Sequence, residues 1–314
     1  MPVKCSRCGE RFSEIYLRYL RQYLCLDCFN QFFINRVKKT VEKYRMLRFG
    51  DYVGVGVSGG KDSAAVLHVL KKLYPGKEYV AIHLHHGIYD YSSDSYRAVK
   101  ELAEMLDVEL YTFDYREELG VTIPDFKRTR YGRKMCATCG TIRRWALSMA
   151  ARELGVDILV TGHNMDDTLE VMLNSFISGD YDSISKLKPV LPPSPPNNYW
   201  KVKPLINTPE EDALLYTMFN GLPVKRFDCP FADDARSTRR KEVLRIWEER
   251  EPMIKFQLFG SFMKKLVPML DSLSGEGVER VYRECRVCGG PSNSDICSAC
   301  RRIEYVKRVV LDRR

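Results

Sequence analysis

The chain of 314 residues is 45% hydrophobic and 29% charged, and its 50 Lys and Arg against 41 Asp and Glu leave a net charge of +9. That length exceeds what one core usually carries, so two or more domains are expected, with the composition of a soluble globular enzyme; no apolar run approaches the roughly 18 residues of a membrane span. The start, MPVKCSRCGERF, has no apolar signal region, so a cytoplasmic protein with reduced thiols is expected, and the basic excess suits a polyanionic partner.

The first element is a pair of C-x-x-C knuckles, Cys5 with Cys8 and Cys25 with Cys28, expected to form a module over residues 1–30. Four thiolates so spaced suit tetrahedral Zn2+. Gly9, directly after the second cysteine, permits a tight turn that faces backbone N–H groups to sulfur. Disulfides or unpaired core thiols are the rival readings, and a reducing compartment disfavours the first. Residues 30–48 then read as a helix, with Phe33, Val37, Val41 and Tyr44 on one face, in a linker over 31–50.

A main domain is expected over 51–274. Tyr52–Val57 reads as a buried strand, followed by a Gly-rich turn and a helix. EYVAIHLHHGI (78–88) is a second strand, SYRAVKELAEMLDV (95–108) a helix and ELYTFDY (109–115) a third strand. An insertion containing RKMCATCG follows, then a helix over 141–155. VDILVTGHNMDD (156–167) is a fourth strand running into a loop, with a helix to about Ile177. Strands alternating with helices imply a doubly wound parallel α/β sheet covered on both faces. The Pro-Pro pairs in residues 188–209 argue for loop, and 209–221 and 237–250 read as helical. Gly275 to Gly277 mark a hinge before a last module, 275–314, in which Cys285, Cys288, Cys297 and Cys300 repeat the double-knuckle pattern for a second Zn2+. Both terminal modules carry few apolar residues and are expected to need metal to fold.

SGGKDS (Ser58–Ser63) sits between strand and helix, where a phosphate loop belongs. Gly59 and Gly60 admit an anion to the backbone, and the free N–H groups and helix dipole favour phosphate. Lys61 adds charge, Ser58 and Ser63 offer hydroxyls, and Asp62 suits Mg2+. It is not a Walker A loop: Val55 stands where that pattern needs glycine, and Asp62 where it needs Ser or Thr. Removing the eight terminal cysteines leaves Cys136, Cys139 and Cys229. Three thiols are one short of a closed zinc site. A redox pair at Cys136–Cys139 and a zinc ion completed by His or Asp both stay open.

SGGKDS resembles the loop of the pyrophosphatase-loop (PP-loop) ATPases, and TGHNMDD (Thr161–Asp167) resembles the second nucleotide loop of their tRNA-modifying branch. With the 4 + 3 + 4 cysteine layout, the chain is similar nearly throughout to the tRNA 2-thiouridine synthetases of the TtcA/TtuA family. The resemblance implies a PP-loop fold flanked by N- and C-terminal zinc fingers. It implies that the run Gly56, Val57, Ser58, Gly59, Gly60, Lys61, Asp62, Ser63 binds ATP, with His83 near the nucleotide, Gly162 close to the adenosine and Arg143 facing phosphate. It assigns Mg2+ or the activated uridine to Asp166 or Asp167, and catalysis to Lys61, Asp167 and the three central cysteines. Those cysteines would carry a [4Fe-4S] cluster whose fourth iron has no protein ligand; a persulfide on one cysteine is the alternative.

The implied reaction is adenylation of a tRNA uridine at the C2 oxygen, with loss of pyrophosphate, then replacement of that oxygen by sulfur. The T-loop position 54 is expected over uridine 34 or cytidine 32. The implied partners are tRNA, a small ubiquitin-like carrier with a thiocarboxylate end, and a second copy of the chain in a homodimer. Basic runs at Lys127–Lys134, Arg236–Lys241 and the C-terminal end suit RNA phosphates, and Tyr131 and Phe126 suit stacking on an extruded base. Two other functions fit part of the chain: a PP-loop ligase acting on a small molecule, and a zinc-finger RNA-binding protein with a decayed nucleotide fold. The first leaves the terminal modules and basic runs unexplained. The intact loops argue against the second.

Overall fold

The structure is a computed structural model and describes residues 2–232, 236–274 and 283–311. In the first module β1 (Ile15–Leu17) and β2 (Gln22–Leu24) form an antiparallel hairpin between the knuckles. Helix α1 (Leu26–Lys43) starts inside the second knuckle and buries Phe29, Phe33, Ile34, Val37 and Val41, while Tyr44 becomes its half-buried C-cap. There follow β3 (Tyr52–Gly56), α2 (Lys61–Leu73), β4 (Glu78–His85), α3 (Tyr89–Leu106), β5 (Glu109–Asp114), two short helices α4 (Tyr115–Leu119) and α5 (Ile123–Lys127), then α6 (Met135–Glu153), β6 (Ile158–Thr161) and α7 (Met165–Ser178).

The lone C-x-x-C is therefore not in an insertion: Cys136 and Cys139 open the first turns of α6. Nor is the Pro-rich stretch all loop. It contributes β7 (Val190–Leu191) and β8 (Trp200–Val202), whose backbone pairs with the sheet between the proline clusters. Helices α8 (Glu210–Phe219), α9 (Arg236–Arg250), α10 (Ile254–Ser261) and α11 (Val267–Ser274) follow, the last two unforeseen from the sequence and joined by a π turn over Phe262–Leu266. The hinge expected at Gly275–Gly277 lies outside the described residues. The last module holds β9 (Arg283–Glu284), β10 (Pro291–Ser292) and α12 (Ser298–Leu311).

The main sheet has the order β5-β4-β3-β6-β8-β7, parallel except for β7. Strand side chains alternate between two cores, as the pleat requires. Val53, Val55, Ala81, Ile158 and Val160 face α1, α2 and α8, where the rings of Phe33 and Tyr216 stack at 4.2 Å. Val80, Ile82, Leu84 and Leu159 face α6 and α12 through Ile142, Ala146, Ile303 and Val306. A third cluster, with Met165, Leu169, Leu244 and Phe259, binds α7, α9 and α10 together. Chain order reverses between β3 and β6, so the loops after these two strands meet at the switch point, where open α/β sheets take their ligands.

Candidate active site

Both nucleotide loops leave the sheet at that switch point. Gly60 caps α2 in extended conformation, and Ser63 closes the phosphate loop: its hydroxyl accepts from Ser58 N at 3.1 Å and donates to Gly60 O at 2.9 Å. Gly59 adopts φ +72°, and a Cβ there would lie 2.9 Å from Ser95 O. Gly56 and Val57 lead in from β3, with Val57 N donating to Ile82 O. The second loop packs directly on the first. A Cβ on Gly162 would stand 2.9 Å from Ser63 N and 3.0 Å from Asp62 C, so only glycine permits this contact. Asn164 donates through Nδ2 to Asp62 at 3.0 Å and, with Asp167, caps α7 in a reciprocal capping box.

The charged groups here form a chain of ion pairs from Asp62 to Asp167. Lys61 Nζ lies 3.1 Å from Asp62 and 2.6 Å from Glu210; Lys241 Nζ lies 2.9 Å from Glu210 and 2.6 Å from Asp167. Burial works to raise the Glu210 carboxyl, yet Lys241 and Lys61 outweigh it and hold it below the ordinary range. Burial raises Asp62. Asp166, expected as an Mg2+ or substrate ligand, is committed elsewhere. It is buried, with Oδ1 2.5 Å from Lys255 Nζ and Oδ2 accepting from Glu210 N at 2.8 Å. Its job is to tie α7 to α8 and α10, which leaves Asp167 as the carboxylate of this loop that faces the site.

Glu210, Lys241 and Asn164 were not singled out from the sequence. Glu210 opens an ordinary acidic helix start, and Lys241 sits in a run that reads as RNA-facing. Within that run Arg240 also turns inward, 2.5 Å from Glu170.

The three central cysteines are brought together by the start of α6 and the loop after α8. The loop carrying Cys229 is fastened to the phosphate loop, because Lys225 N donates to Gly59 O at 2.7 Å. The buried Asp94 of α3 holds the same loop, accepting from the backbone N–H of Arg226 and of Phe227. Two residues past Cys229, Phe231 O takes the Cys136 thiol at 3.2 Å. Burial pushes Cys139 up to about 11, reinforced by Cys229 and Cys136 and opposed by Arg143 one turn along α6. Arg143 thus faces the thiol group.

The three sulfurs do not all lie within 4.8 Å of one another, as those of each terminal set do. A single tetrahedral ion with metal–sulfur bonds of about 2.3 Å needs sulfurs about 3.8 Å apart. The central set therefore does not fit one zinc ion. Three thiols more widely spaced than a single ion needs, with Arg143 one turn along α6 from Cys139, fit a larger, open cluster.

His83 is 1% exposed and its Nδ1 faces Val57 O at 3.0 Å, so Nδ1 carries the proton and Nε2 is left an acceptor without a protein partner. Burial brings its pKa down to about 4. Burial, then Arg143, bring His86 down to about 3. Both imidazoles are neutral at pH 7.

In the terminal modules Cys8 and Cys25 lie 3.9 Å apart, as do Cys288 and Cys297, the separation a tetrahedral thiolate ion imposes. Backbone N–H groups point at sulfur, from Cys297 to Cys285 and from Gly290 to Cys288; Gly9 takes the left-handed turn expected of it, and Gly289, in the same place in the last module, does likewise. Lys127, Arg128, Arg130, Arg133 and Lys134 are exposed and rim the α6 start. Phe126, in contrast, is fully buried and cannot stack on a base. Tyr131 packs edge-on against Tyr305 at 5.5 Å beneath Arg130 and Arg302.

Residues 30–222 match the PP-loop domain family. The chain is 33% identical over 97% of its length, and 92% of the relative's, to the tRNA-5-methyluridine(54) 2-sulfurtransferase of Thermus thermophilus. It is 32% identical, over 98% of both chains, to the protein of the same name from Thermotoga maritima. Among solved structures it is similar to the U34-tRNA thiolase NcsA from Methanococcus maripaludis with its [4Fe-4S] cluster, with a TM-score of 0.79, 26% identity and 96% of each chain covered.

Proposed function

The chain belongs to the PP-loop family of tRNA 2-thiolation sulfurtransferases, and from that premise we propose that it converts a tRNA uridine, at position 54, to its 2-thio form. The observation that carries the reading is the contact of the two glycine loops at the switch point, with the Cys229 loop bonded both to the phosphate loop and to the Cys136 thiol.

ATP lies with its phosphates over Gly59, Gly60 and the N-terminus of α2, where backbone N–H groups and Lys61 meet the charge. Asp62 and Asp167, each facing a lysine, are the carboxylates that would hold Mg2+. Neutral His83 offers its free Nε2 as an acceptor to the nucleotide. The uridine O2 attacks the α-phosphorus and pyrophosphate departs, which turns a poor leaving group into AMP. Lys61, at the loop, stabilises the charge on the departing pyrophosphate. A sulfur nucleophile adds at C2 and AMP leaves with the original oxygen.

Cys136, Cys139 and Cys229 are the residues that would hold a [4Fe-4S] cluster, which supplies an open iron to present sulfide. Arg143 offsets the negative charge of that set. The terminal thiolate sets hold Zn2+. The sulfur source is the thiocarboxylate of a small ubiquitin-like protein, the functional unit a homodimer, and the compartment the cytoplasm. No helix among the described residues is long and apolar enough to cross a membrane.

The test is anaerobic incubation of the cluster-loaded protein with unmodified tRNA, Mg-ATP and a sulfide donor, followed by mass spectrometry of mapped nucleosides. Thiouridine at position 54, lost in Cys229→Ala, is the expected result. Thiolation confined to position 34 would overturn the target. Pyrophosphate release that ignores tRNA would overturn the reaction.

A further inference from the structure

We propose that Glu210 is an anionic placeholder in the phosphate site, and that Lys241 of α9 joins Lys61 as a second cation gripping the polyphosphate of ATP. The inference rests on the nucleotide reading above. One carboxylate bridges two ammonium groups, one on each oxygen: Oε1 takes Lys61 at 2.6 Å and Oε2 takes Lys241 at 2.9 Å. A phosphate group presents the same arrangement of paired anionic oxygens with more charge. The lysines reach this point from elements far apart in the chain, α2 and α9, and the packing of α9 on α7 sets Lys241 against Asp167 and Glu210 together.

The bridge can be exchanged. Glu210, Lys61 and Lys241 are 31%, 25% and 27% exposed, in contrast to the neighbouring Lys255–Asp166 pair at 5% each, which is sealed. Asp62 and Asp167 each keep a carboxylate on one lysine, and Glu210 between the two ammonium groups offsets their mutual repulsion before nucleotide arrives. Phosphate then takes both lysines, and Glu210 is released toward solvent at the start of α8. Because α9 begins seven residues after Cys229, the same exchange ties the helix beyond the thiol loop to nucleotide occupancy.

The test is calorimetric titration of the full chain with Mg-ATP and, separately, with inorganic pyrophosphate. Glu210→Gln keeps the shape and removes the competing charge, and should tighten pyrophosphate binding roughly fivefold. Lys241→Gln should weaken it about tenfold, and Lys241→Arg should stay near the wild type. Weaker Mg-ATP binding by Glu210→Gln would make Glu210 a magnesium ligand and overturn the placeholder. Unchanged affinity in Lys241→Gln would overturn the second cation. Should that variant fail to fold, as a thermal melt would show, the Glu210→Gln and Lys241→Arg titrations still decide. Failure of the wild type to bind ATP at all would remove the nucleotide reading itself, an outcome distinct from binding that the variants leave unmoved.

Discussion

His83 shows how one buried ring can couple the site to pH. Its Nδ1–H is spent on Val57 O, and a proton on Nε2 would be buried with no protein acceptor. Its pKa in the fold, about 4, lies below the roughly 6.5 of the unfolded chain, so the unfolded state binds more protons between those values. The stability this ring contributes is complete above pH 6.5 and is lost as pH falls toward 4, by about 3 kcal/mol. Urea unfolding at pH 7 and pH 4.5 should show the loss in the wild type and a smaller one in His83→Asn, which keeps a donor for Val57 O but cannot titrate. Parallel curves for the two proteins would refute it. The sequence placed His83 at a strand end but was silent on its tautomer, because Val57 becomes its partner only when β3 and β4 pair. Gly162 was legible as a loop glycine, whereas the reason for it, the backbone of Asp62 and Ser63 at 3 Å, belongs to the assembled sheet.

Among the elements, the N-terminal hairpin region, α1 and α8 are locked at one buried carboxylate. Asp212 is 1% exposed; it accepts from Tyr19 at 2.5 Å and from Arg36 at 2.6 Å. Burial pushes its pKa up to about 6 even against these two partners. Arg36 is itself held over the rings of Tyr19, Phe32 and Phe256. Removing the cation strands a charge in the core, so Arg36→Ala should cost about 3–5 kcal/mol, more than Asp212→Asn, which removes the charge instead. Denaturant melts of the two variants and their double mutant measure this, and a cost below about 1 kcal/mol for Arg36→Ala would reject the lock. The helical face of α1 was readable from Phe33, Val37 and Val41, since a 3.6-residue period is local. Its partner was not, because Arg36 and Asp212 are 176 residues apart.

For the whole molecule, each terminal module is part of one of the two cores that sandwich the sheet. Leu17, Leu24 and Cys25 share a cluster with Phe33 and Val66, and Ala299, Ile303 and Val306 share the other with Ile142 and Ala146 of the cysteine-bearing α6. Metal loss should therefore loosen the sheet domain as well as the modules. Stripping metal with a chelator under reducing conditions should lower the melting temperature by more than about 5 °C, and the protein should regain it on adding Zn2+. An unchanged melt would mean that the thiolate sets hold no structural ion.

The sequence by itself determined the strand–loop–helix units, the two glycine loops, the two four-thiolate sets and the presence of an odd trio of cysteines. Each of these is written within a few dozen residues, as a period, a turn or a spacing, and local geometry follows from it directly. Tertiary structure alone decided which carboxylate faces the site and which is buried under Lys255. It also turned Lys241 inward from a basic run, and moored the Cys229 loop to Gly59 and Asp94. Those contacts join residues remote in the chain, and charge pairing between them exists only once the sheet has fixed where the loops end. A run of like charges carries no mark of which lysine will find a carboxylate, because the choice is made by the packing of α9 against α7 and α10.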